Sequence, residues 1–288
     1  RGLIEALIAT VVVAAFAYWI EVTGVTAGVS LQRVIVIYSG IMLVLSPILY
    51  FVMSDDEHEK PAEKEDYNAQ QLWRDVGTIG RKPEIWLCTI CILIGYQLFW
   101  ATYSFSAYIQ SELGMSAVAA GSITAAKLWM RPIGAATAGF AGDLIDRERV
   151  LAGLYIGSAA ALAVITMLPV GAGFAAAGGI VLAIGVLTYG IRGIFWATLE
   201  SAGVEARIKG LAIGMICLVG FSPDIYLPLI NGYLLERYPG RTGYAIYFHG
   251  IAAMGLIGAW AALKLRSMAQ AKAGLSVAAS EQPVVETG

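Results

Sequence analysis

The sequence predicts an all-α fold, a polytopic membrane protein built as a bundle of transmembrane helices. Hydrophobic residues make up 58% of the 288 positions and charged residues only 14%, with a mean hydropathy of +0.70. Soluble domains carry roughly 25% charged residues, so this surface does not suit water. Apolar stretches also recur at lengths near the ~20 residues that a ~30 Å hydrocarbon core requires. Both observations favour a chain that crosses a membrane several times.

Eight stretches have the length and composition of a membrane span. They cover residues 3–20, 31–53, 84–110, 115–141, 150–170, 173–198, 210–235 and 243–265. No charge occurs between positions 150 and 191, which is too long for one span, and Pro169 to Gly173 supplies the break. We therefore expect four parts: two helices in 1–53, a hydrophilic linker in 54–83, six helices in 84–266 and a disordered tail in 267–288.

The distribution of lysine and arginine predicts the orientation in the membrane. Thirteen of these residues lie on one side of the predicted spans and three on the other, which places both ends of the chain and the linker in the cytoplasm. The smaller group is Arg33, Arg237 and Arg241. The remaining three cations, Lys127, Arg131 and Arg192, lie inside spans.

Composition also excludes several classes of protein. The net charge of −2 gives no reason to expect a nucleic-acid partner. The three cysteines fall in apolar runs, so we predict no metal site and no cofactor. Paired catalytic residues and the HExxH pattern do not occur, which argues against an enzyme. The chain starts at Arg1 without an initiator Met or a signal-peptide pattern, so we expect a piece of a longer polypeptide.

Ionisable residues within predicted spans are candidates for function, because a charge in the bilayer is costly. At ~1.5 Å per residue, Lys127 lies near the midplane and Arg131 one turn closer to the cytoplasm. Arg192 lies in the cytoplasmic half of its span, which Glu200 ends. Arg131 and Arg192 could instead reach the membrane surface or pair with a neighbouring helix, and Arg131, beside Pro132, could anchor its helix.

Asp224 lies centrally in the seventh span, between Pro223 and Pro228. Its side chain is too short to reach the surface, and the prolines leave backbone carbonyls free nearby. This pattern is typical of a proton or ion site. Its depth is similar to that of Lys127, so a salt bridge between the two is possible.

The third span carries polar and aromatic residues on one face. Tyr96, Trp100 and Tyr103 follow an i, i+4, i+7 stripe, flanked by Gln97 and Ser104. Aromatic stripes often serve packing alone, but the neighbouring polar groups favour a wet cavity wall. Small residues punctuate the fourth, sixth and seventh spans, among them Gly134, Gly185 and Gly220, and predict close helix contacts.

The stretch Gly142-Asp143-Leu144-Ile145-Asp146-Arg147-Glu148-Arg149 resembles the cytoplasmic signature of the major facilitator superfamily. That signature has a Gly, three residues, Asp-Arg and a basic cluster, and it joins the second and third helices of each six-helix half. It occupies the same place here, although Arg149 stands where a glycine is usual. Glu200 with Arg207, Lys209 and Gly210 resembles the turn between the fourth and fifth helices of the same half. More narrowly, residues 192–200 and 210–240 are similar to bacterial carriers near nitrate porters and organic-anion symporters.

This resemblance implies two six-helix halves that rock around a site at the midplane. The eight predicted spans would be helices 5–12 of 12. The first and fourth helices of a half line the cavity in this family, here the spans with Tyr96 and with Arg192. The second and fifth helices lie on opposite flanks, so Asp224 would face helices that this chain lacks, which disfavours the bridge to Lys127.

We therefore expect a secondary active transporter of the bacterial inner membrane, monomeric, that carries a small organic anion with protons by alternating access. A channel or a facilitative uniporter for a neutral or inorganic solute is the alternative. The expected substrate-binding residues are Tyr96, Gln97, Trp100, Lys127, Arg131 and Arg192. Asp224 and, second to it, Glu200 would carry the proton. Gly142, Asp143, Asp146 and Arg147 would form a cytoplasmic gate.

Overall fold

A computed structural model describes residues 10, 11, 18, 27–52, 68–204 and 206–280, without the side chains of 27–31, 34, 38, 48–52, 69, 206 and 273–280. Within these residues the protein is helical and contains no strand, which confirms the predicted fold class. The predicted span 3–20, apart from residues 10, 11 and 18, lies outside them. So do most of the acidic linker, up to residue 67, and residues 281–288.

Twelve α-helices are described, joined in places by short 3₁₀ turns. In chain order they are α1 (Ala27–Val52), α2 (Ala69–Gly80), α3 (Pro83–Ala101), α4 (Phe105–Ser111), α5 (Ala117–Leu128), α6 (Met130–Leu144), α7 (Arg147–Ile165), α8 (Phe174–Ile194), α9 (Thr198–Ser201), α10 (Lys209–Gly220), α11 (Pro223–Arg237) and α12 (Arg241–Ser280). The predicted break near Pro169 is present, since α7 ends at Ile165 and α8 begins at Phe174.

Five helical segments of the described chain are long and apolar enough to cross a membrane: Pro83–Ser111, Arg147–Ile165, Phe174–Ser201, Lys209–Arg237 and Arg241–Lys272. Helix α1 contains a shorter apolar stretch, Ile35–Pro47. The predicted span 115–141 is divided into α5 and α6 at Trp129. Pro132 explains the division, because it has no N–H to donate to the carbonyl of Leu128. The total of eight spans stays a prediction.

The span 210–235 is also interrupted, at residues 221 and 222. Helix α10 ends at Gly220 and α11 begins at Pro223, with the Asp224 and Ile225 amides bonded three residues back to Phe221 and Ser222. Asp224 therefore lies in the first turn of α11. The partial positive charge at a helix N-terminus favours a carboxylate there.

Helices α6 and α8 meet along a seam of small residues. A Cβ on Gly134 would lie 2.4 Å from the carbonyl oxygen of Val186, and a Cβ on Gly193 would lie 2.9 Å from the Cα of Ala135. Backbones approach this closely only where side chains are absent. Helix α12 packs against α3 and α7, and α3 also contacts α10 and α11. Residues of α3 thus lie at the centre of the described bundle.

The disorder predicted from residue 267 is wrong as far as Ser280, because α12 continues to that residue. Arg266 forms an ion pair with Asp146, and Lys272 forms one with Glu84 at the start of α3. The alanine-rich composition, which suggested a polar tail, also has high helix propensity. These ion pairs attach the C-terminal part of the last helix to the rest of the bundle.

Candidate functional site

The site begins with Asp224, whose carboxylate is held by two donors from α3. The Tyr96 hydroxyl donates to Oδ1 at 2.8 Å and the Trp100 indole N–H donates to the same atom at 2.5 Å. Sequence reasoning expected Asp224 to face absent helices, and the structure instead bonds it to α3. Two strong donors stabilise a carboxylate in a way that an apolar helix face does not. The predicted proton carrier and two predicted wall residues therefore form one group.

Arg192 lies beside this group on the same aromatic wall. Its guanidinium carbon is 4.2 Å from the centre of the Phe99 ring and 5.7 Å from that of Tyr96. Contact with ring faces stabilises a guanidinium while leaving its N–H donors available at the edge. Tyr96 thus contacts both a carboxylate and a guanidinium.

A cavity of about 180 Å³ opens between α6, α8 and α10. Its lining contains two arginines and several rings, namely Arg131, Tyr189, Arg192, Phe195, Trp196 and Phe221, together with the small residues Ala135 and Gly193. Arg131 also lies 5.9 Å from the centre of the Tyr189 ring. The cavity combines fixed positive charge with aromatic faces, which suits a small anion with an organic body.

Lys127 does not line this cavity. Its side chain is 4% exposed, and its ammonium donates to the Thr102 hydroxyl at 2.5 Å. The rings of Phe99, Tyr103 and Phe105 lie 5.8 to 5.9 Å from it. No salt bridge joins Lys127 to Asp224 in the structure. The Phe99 ring therefore lies near both cations, with its centre 5.9 Å from the Lys127 ammonium and 4.2 Å from the Arg192 guanidinium carbon.

Gln97 bonds to Tyr226 of α11 rather than to Asp224. Its amide N–H donates to the Tyr226 hydroxyl, and its Oε1 is buried without a hydrogen-bond partner among the described residues. Of the six predicted binding residues, Tyr96 and Trp100 therefore bond to Asp224, and Arg131 and Arg192 line the 180 Å³ cavity. Lys127 and Gln97 instead bond to Thr102 and Tyr226.

Glu200 lies with the predicted gate rather than with Asp224. It pairs with Arg147 at 2.8 Å, with 68% of the Glu200 side chain exposed, and Arg147 also lies 3.7 Å from Asp143. Gly142 is close to the same arginine, since a Cβ there would lie 3.2 Å from its Cγ. The predicted gate residues are thus brought together at one end of the bundle.

Asp146 connects this cluster to the last helix through a 2.5 Å ion pair with Arg266. Burial alone would raise the pKa of Asp146, but the Arg266 guanidinium and the hydrogen bonds with Glu148 together lower it below its ordinary value. Next to it, the buried carboxylate of Glu148 accepts a hydrogen bond from the Ser201 hydroxyl. The turn before α7 is therefore bound to both α9 and α12.

Sequence reasoning missed several residues of the site, among them Phe99, Thr102, Tyr189 and Tyr226. Phe99 and Tyr189 lie three positions from Tyr96 and Arg192, so helical spacing could have indicated them. Tyr226 lies two residues after Asp224, and Thr102 lies in a mostly apolar run. No pattern in the sequence indicates that either residue belongs to the site. Their roles come from packing between distant helices.

Comparisons with known proteins give a consistent result. The family model described as Major Facilitator Superfamily matches residues 4–223. The chain is 26% identical over 264 residues to inner membrane protein YqcE of Escherichia coli (strain K12), covering 88% of this chain and 60% of that protein. It is 24% identical over 268 residues to inner membrane protein YihN of the same strain, covering 90% and 61% respectively. A shorter match, 37% identical over 59 residues, covers 19% of this chain and 26% of an uncharacterized protein of Mycoplasma pneumoniae. The chain spans about three fifths of the two longer relatives.

Proposed function

Because the chain belongs to the major facilitator superfamily, a family of membrane transporters rather than enzymes, we propose that it forms part of a proton-coupled secondary transporter for a small organic anion. The protein works by alternating access, and its site is the group of residues around Asp224 and Arg192. The narrower relationship to organic-anion and nitrate carriers belongs to this proposal.

One observation carries the proposal, namely that Tyr96 interacts with both a carboxylate and a guanidinium. Tyr96 donates to Asp224, and Arg192 lies against its ring. In an ordinary packing arrangement within a membrane, a lone carboxylate bonded only to neutral donors would be costly. A group that alternates between protonated and ionised forms explains why it is retained.

The cavity supplies the binding chemistry. Arg131 and Arg192 attract the anionic group, and the aromatic lining contacts the organic part. Lys127, whose ammonium is 5.9 Å from the centre of the Phe99 ring, adds positive potential to the same region without contacting the substrate. Tyr96, Trp100 and Gln97 fix the wall on which Asp224 and Arg192 lie.

The charges favour symport. An ionised Asp224 repels an incoming anion, so protonation of Asp224 strengthens anion binding. By linkage, anion binding strengthens protonation to the same degree. Both species therefore load together and leave together.

The location follows from the family and from the relatives, which are named inner membrane proteins. We place this protein in a bacterial inner membrane as a multi-pass monomer. The excess of lysine and arginine on one side puts both ends of the chain in the cytoplasm. A lipid bilayer, protons and the anion are its partners.

The test uses the complete protein that contains this chain, reconstituted in proteoliposomes. A thermal-shift screen against sugar acids, sulfonates, phosphates and nitrate selects a substrate, and uptake is then driven by a pH gradient. We expect Asp224→Asn to abolish accumulation against a gradient while substrate exchange continues. Glu200→Gln, the matched control, should retain accumulation.

Two outcomes would contradict the proposal. If Asp224→Asn still accumulated substrate uphill, the coupling role of Asp224 would be wrong. If the wild-type protein passed ions at single-channel rates, the channel alternative would replace the carrier.

A further inference from the structure

A second cavity of about 360 Å³ lies between α3, α11 and α12. Apolar side chains form most of its wall, and Gln97, Tyr226 and Tyr247 bring polar groups to it. The other lining residues are Leu227, Ile230, Leu234, Ile246, Gly250, Ile251 and Met254. We call this cavity the three-helix groove. It is separate from the 180 Å³ cavity that contains the arginines.

Buried oxygen atoms without partners lie in this region. Gln97 is 6% exposed, and among the described residues its Oε1 has no hydrogen-bond partner. Tyr247 is 2% exposed, and its hydroxyl lies near Ser104 but makes no hydrogen bond of good geometry there. Asn231, next to Ile230 of the groove, donates from Nδ2 to Ser104 Oγ at 3.2 Å, while its Oδ1 is likewise buried and unpartnered. Orphan polar groups are unfavourable inside a membrane, and three in one region indicate a ligand.

The chemistry of these groups selects the ligand. The oxygens are neutral amide and hydroxyl groups that need hydrogen-bond donors, which an acyl chain cannot supply. A volume of 360 Å³ has room for on the order of ten water molecules at about 30 Å³ each. Water can satisfy all three oxygens, and buried waters bond to otherwise unpaired polar groups of this kind.

The groove begins at Gln97 and Tyr226, which neighbour Tyr96 and Asp224 in the chain, and extends along α11 to Leu234, away from the cytoplasmic cluster. The hydrogen-bonded pair of Gln97 and Tyr226 lies at its inner end, and these residues are one and two positions from Tyr96 and Asp224. Asn231 lies seven residues beyond Asp224 along α11, about 10 Å at 1.5 Å per residue. The groove residue Leu234 lies nearly one turn further.

We propose that the three-helix groove is filled with water and conducts protons from the outer surface to Asp224. A hydronium ion at the outer end gives a proton to the first water, and each water or hydroxyl group in turn releases one proton as it accepts another. Asp224 becomes neutral at the inner end and no other group changes its charge. This inference rests on the proposed role of Asp224 as the proton carrier.

The first test measures hydration directly in the complete protein. Asn231→Cys is compared with Leu229→Cys. Leu229 is at similar depth but lies about 200° from Asn231 around the axis of α11, and its side chain is 69% exposed. Both variants also carry Cys217→Ser, because Cys217 is the partly exposed native thiol. Cys88 and Cys91 are fully buried and can stay. Because thiols react as thiolates, which form in water and not in lipid, a membrane-impermeant thiosulfonate added outside should modify Asn231→Cys at least tenfold faster. Equal rates at the two positions would overturn the hydrated groove.

The second test measures proton delivery. Tyr247→Phe removes a groove oxygen, and Asn231→Leu removes one beside the groove. Both variants should lower uptake driven by a pH gradient about tenfold, while substrate exchange at equal pH changes less than twofold. Tyr244→Phe is the control, because Tyr244 is 6% exposed, one turn away, and packs against Tyr108 outside the groove.

The two proposals fail in different ways. If Asp224→Asn abolishes uphill uptake but both groove variants retain it, the proton route is wrong and the role of Asp224 is unaffected. If Asp224→Asn itself retains uphill uptake, the proposed function and the route are both wrong, whatever the labelling rates show about water in the groove.

Discussion

At the scale of single residues, Lys127 is the most unusual cation in the described chain. It is 4% exposed, bonded to a neutral hydroxyl and surrounded by three aromatic rings. Ring faces compensate only part of the cost of burying an ammonium group. A charge that lowers stability in this way is retained for another reason, and a positive potential beside Arg192 provides one.

Replacing Lys127 with Met tests this reason, because Met keeps the volume and removes the charge. We expect the free energy of unfolding to rise by about 1–4 kcal/mol, the range seen when buried charges give way to apolar residues. Anion uptake should fall at least tenfold. Thermal unfolding in detergent and uptake in proteoliposomes measure the two effects, with the exposed Arg149→Met as the control. Unimpaired uptake by Lys127→Met would remove this residue from the site.

Some of the site could be predicted from the sequence because a charge within an apolar span is costly and its position can be read directly. Asp224 and Arg192 were found in this way. The partners of Asp224 could not be predicted, since which face of α3 meets α11 depends on the break before Pro223 and on packing across about 130 positions of chain. Glu200 shows the converse, because the sequence places this acid at a helix end but does not reveal its ion pair with Arg147.

At the scale of elements, the seam between α6 and α8 depends on glycine. A Cβ at Gly134 would lie 2.4 Å from a backbone oxygen of Val186, which cannot move without displacing the helix. We expect Gly134→Ala to lower the free energy of unfolding by about 1–3 kcal/mol. At Gly139, on the same helix, no described atom lies within 4 Å of such a Cβ. Gly139→Ala should therefore raise the free energy of unfolding by up to about 1 kcal/mol. If the two variants shifted the unfolding temperature in the same direction, the role of glycine in the seam would be wrong.

The ion pair between Asp146 and Arg266 links α12 to the turn before α7 and predicts a pH dependence. The folded protein lowers the pKa of Asp146 from its ordinary value of 3.8. The stability from this pair is therefore fully present above that value and is lost as the pH falls through the lower, folded pKa. Between pH 5 and pH 2 we expect the unfolding temperature of the wild type to fall more steeply than that of Arg266→Gln. Parallel curves would show that the pair does not contribute.

At the scale of the whole molecule, the fold class followed from composition and hydropathy because lipid leaves few alternatives to helices. The interior of each span was less predictable. The breaks at Trp129 and at residues 221 and 222 both precede prolines, yet proline within a membrane helix is often tolerated. Hydropathy also does not reveal the ion pairs that Arg266 and Lys272 of α12 form with residues far away in the chain.

The cytoplasmic cluster connects parts of a single half of the predicted transporter. Arg147 pairs with Glu200, Asp146 with Arg266, and Glu148 with Ser201, and all of these residues lie within 84–266. Contacts inside one half do not change when two halves rock as rigid bodies. These contacts therefore brace the half, and any gate formed by residues 142–149 needs a partner in the other half.

A cross-link tests whether the contact between Arg147 and Glu200 stays closed or opens during transport. Arg147→Cys with Glu200→Cys, joined by a short bis-thiosulfonate linker in the complete protein, should transport at a rate within about twofold of the same variant without linker. The reason is that the two helix ends keep their separation throughout a rigid-body cycle. The variant without linker is the control for the loss of the Arg147–Glu200 ion pair itself, an exposed pair worth about 1 kcal/mol or less. Inhibition that appears on linking and reverses on reduction would show that this contact must open, which would make it part of the gate.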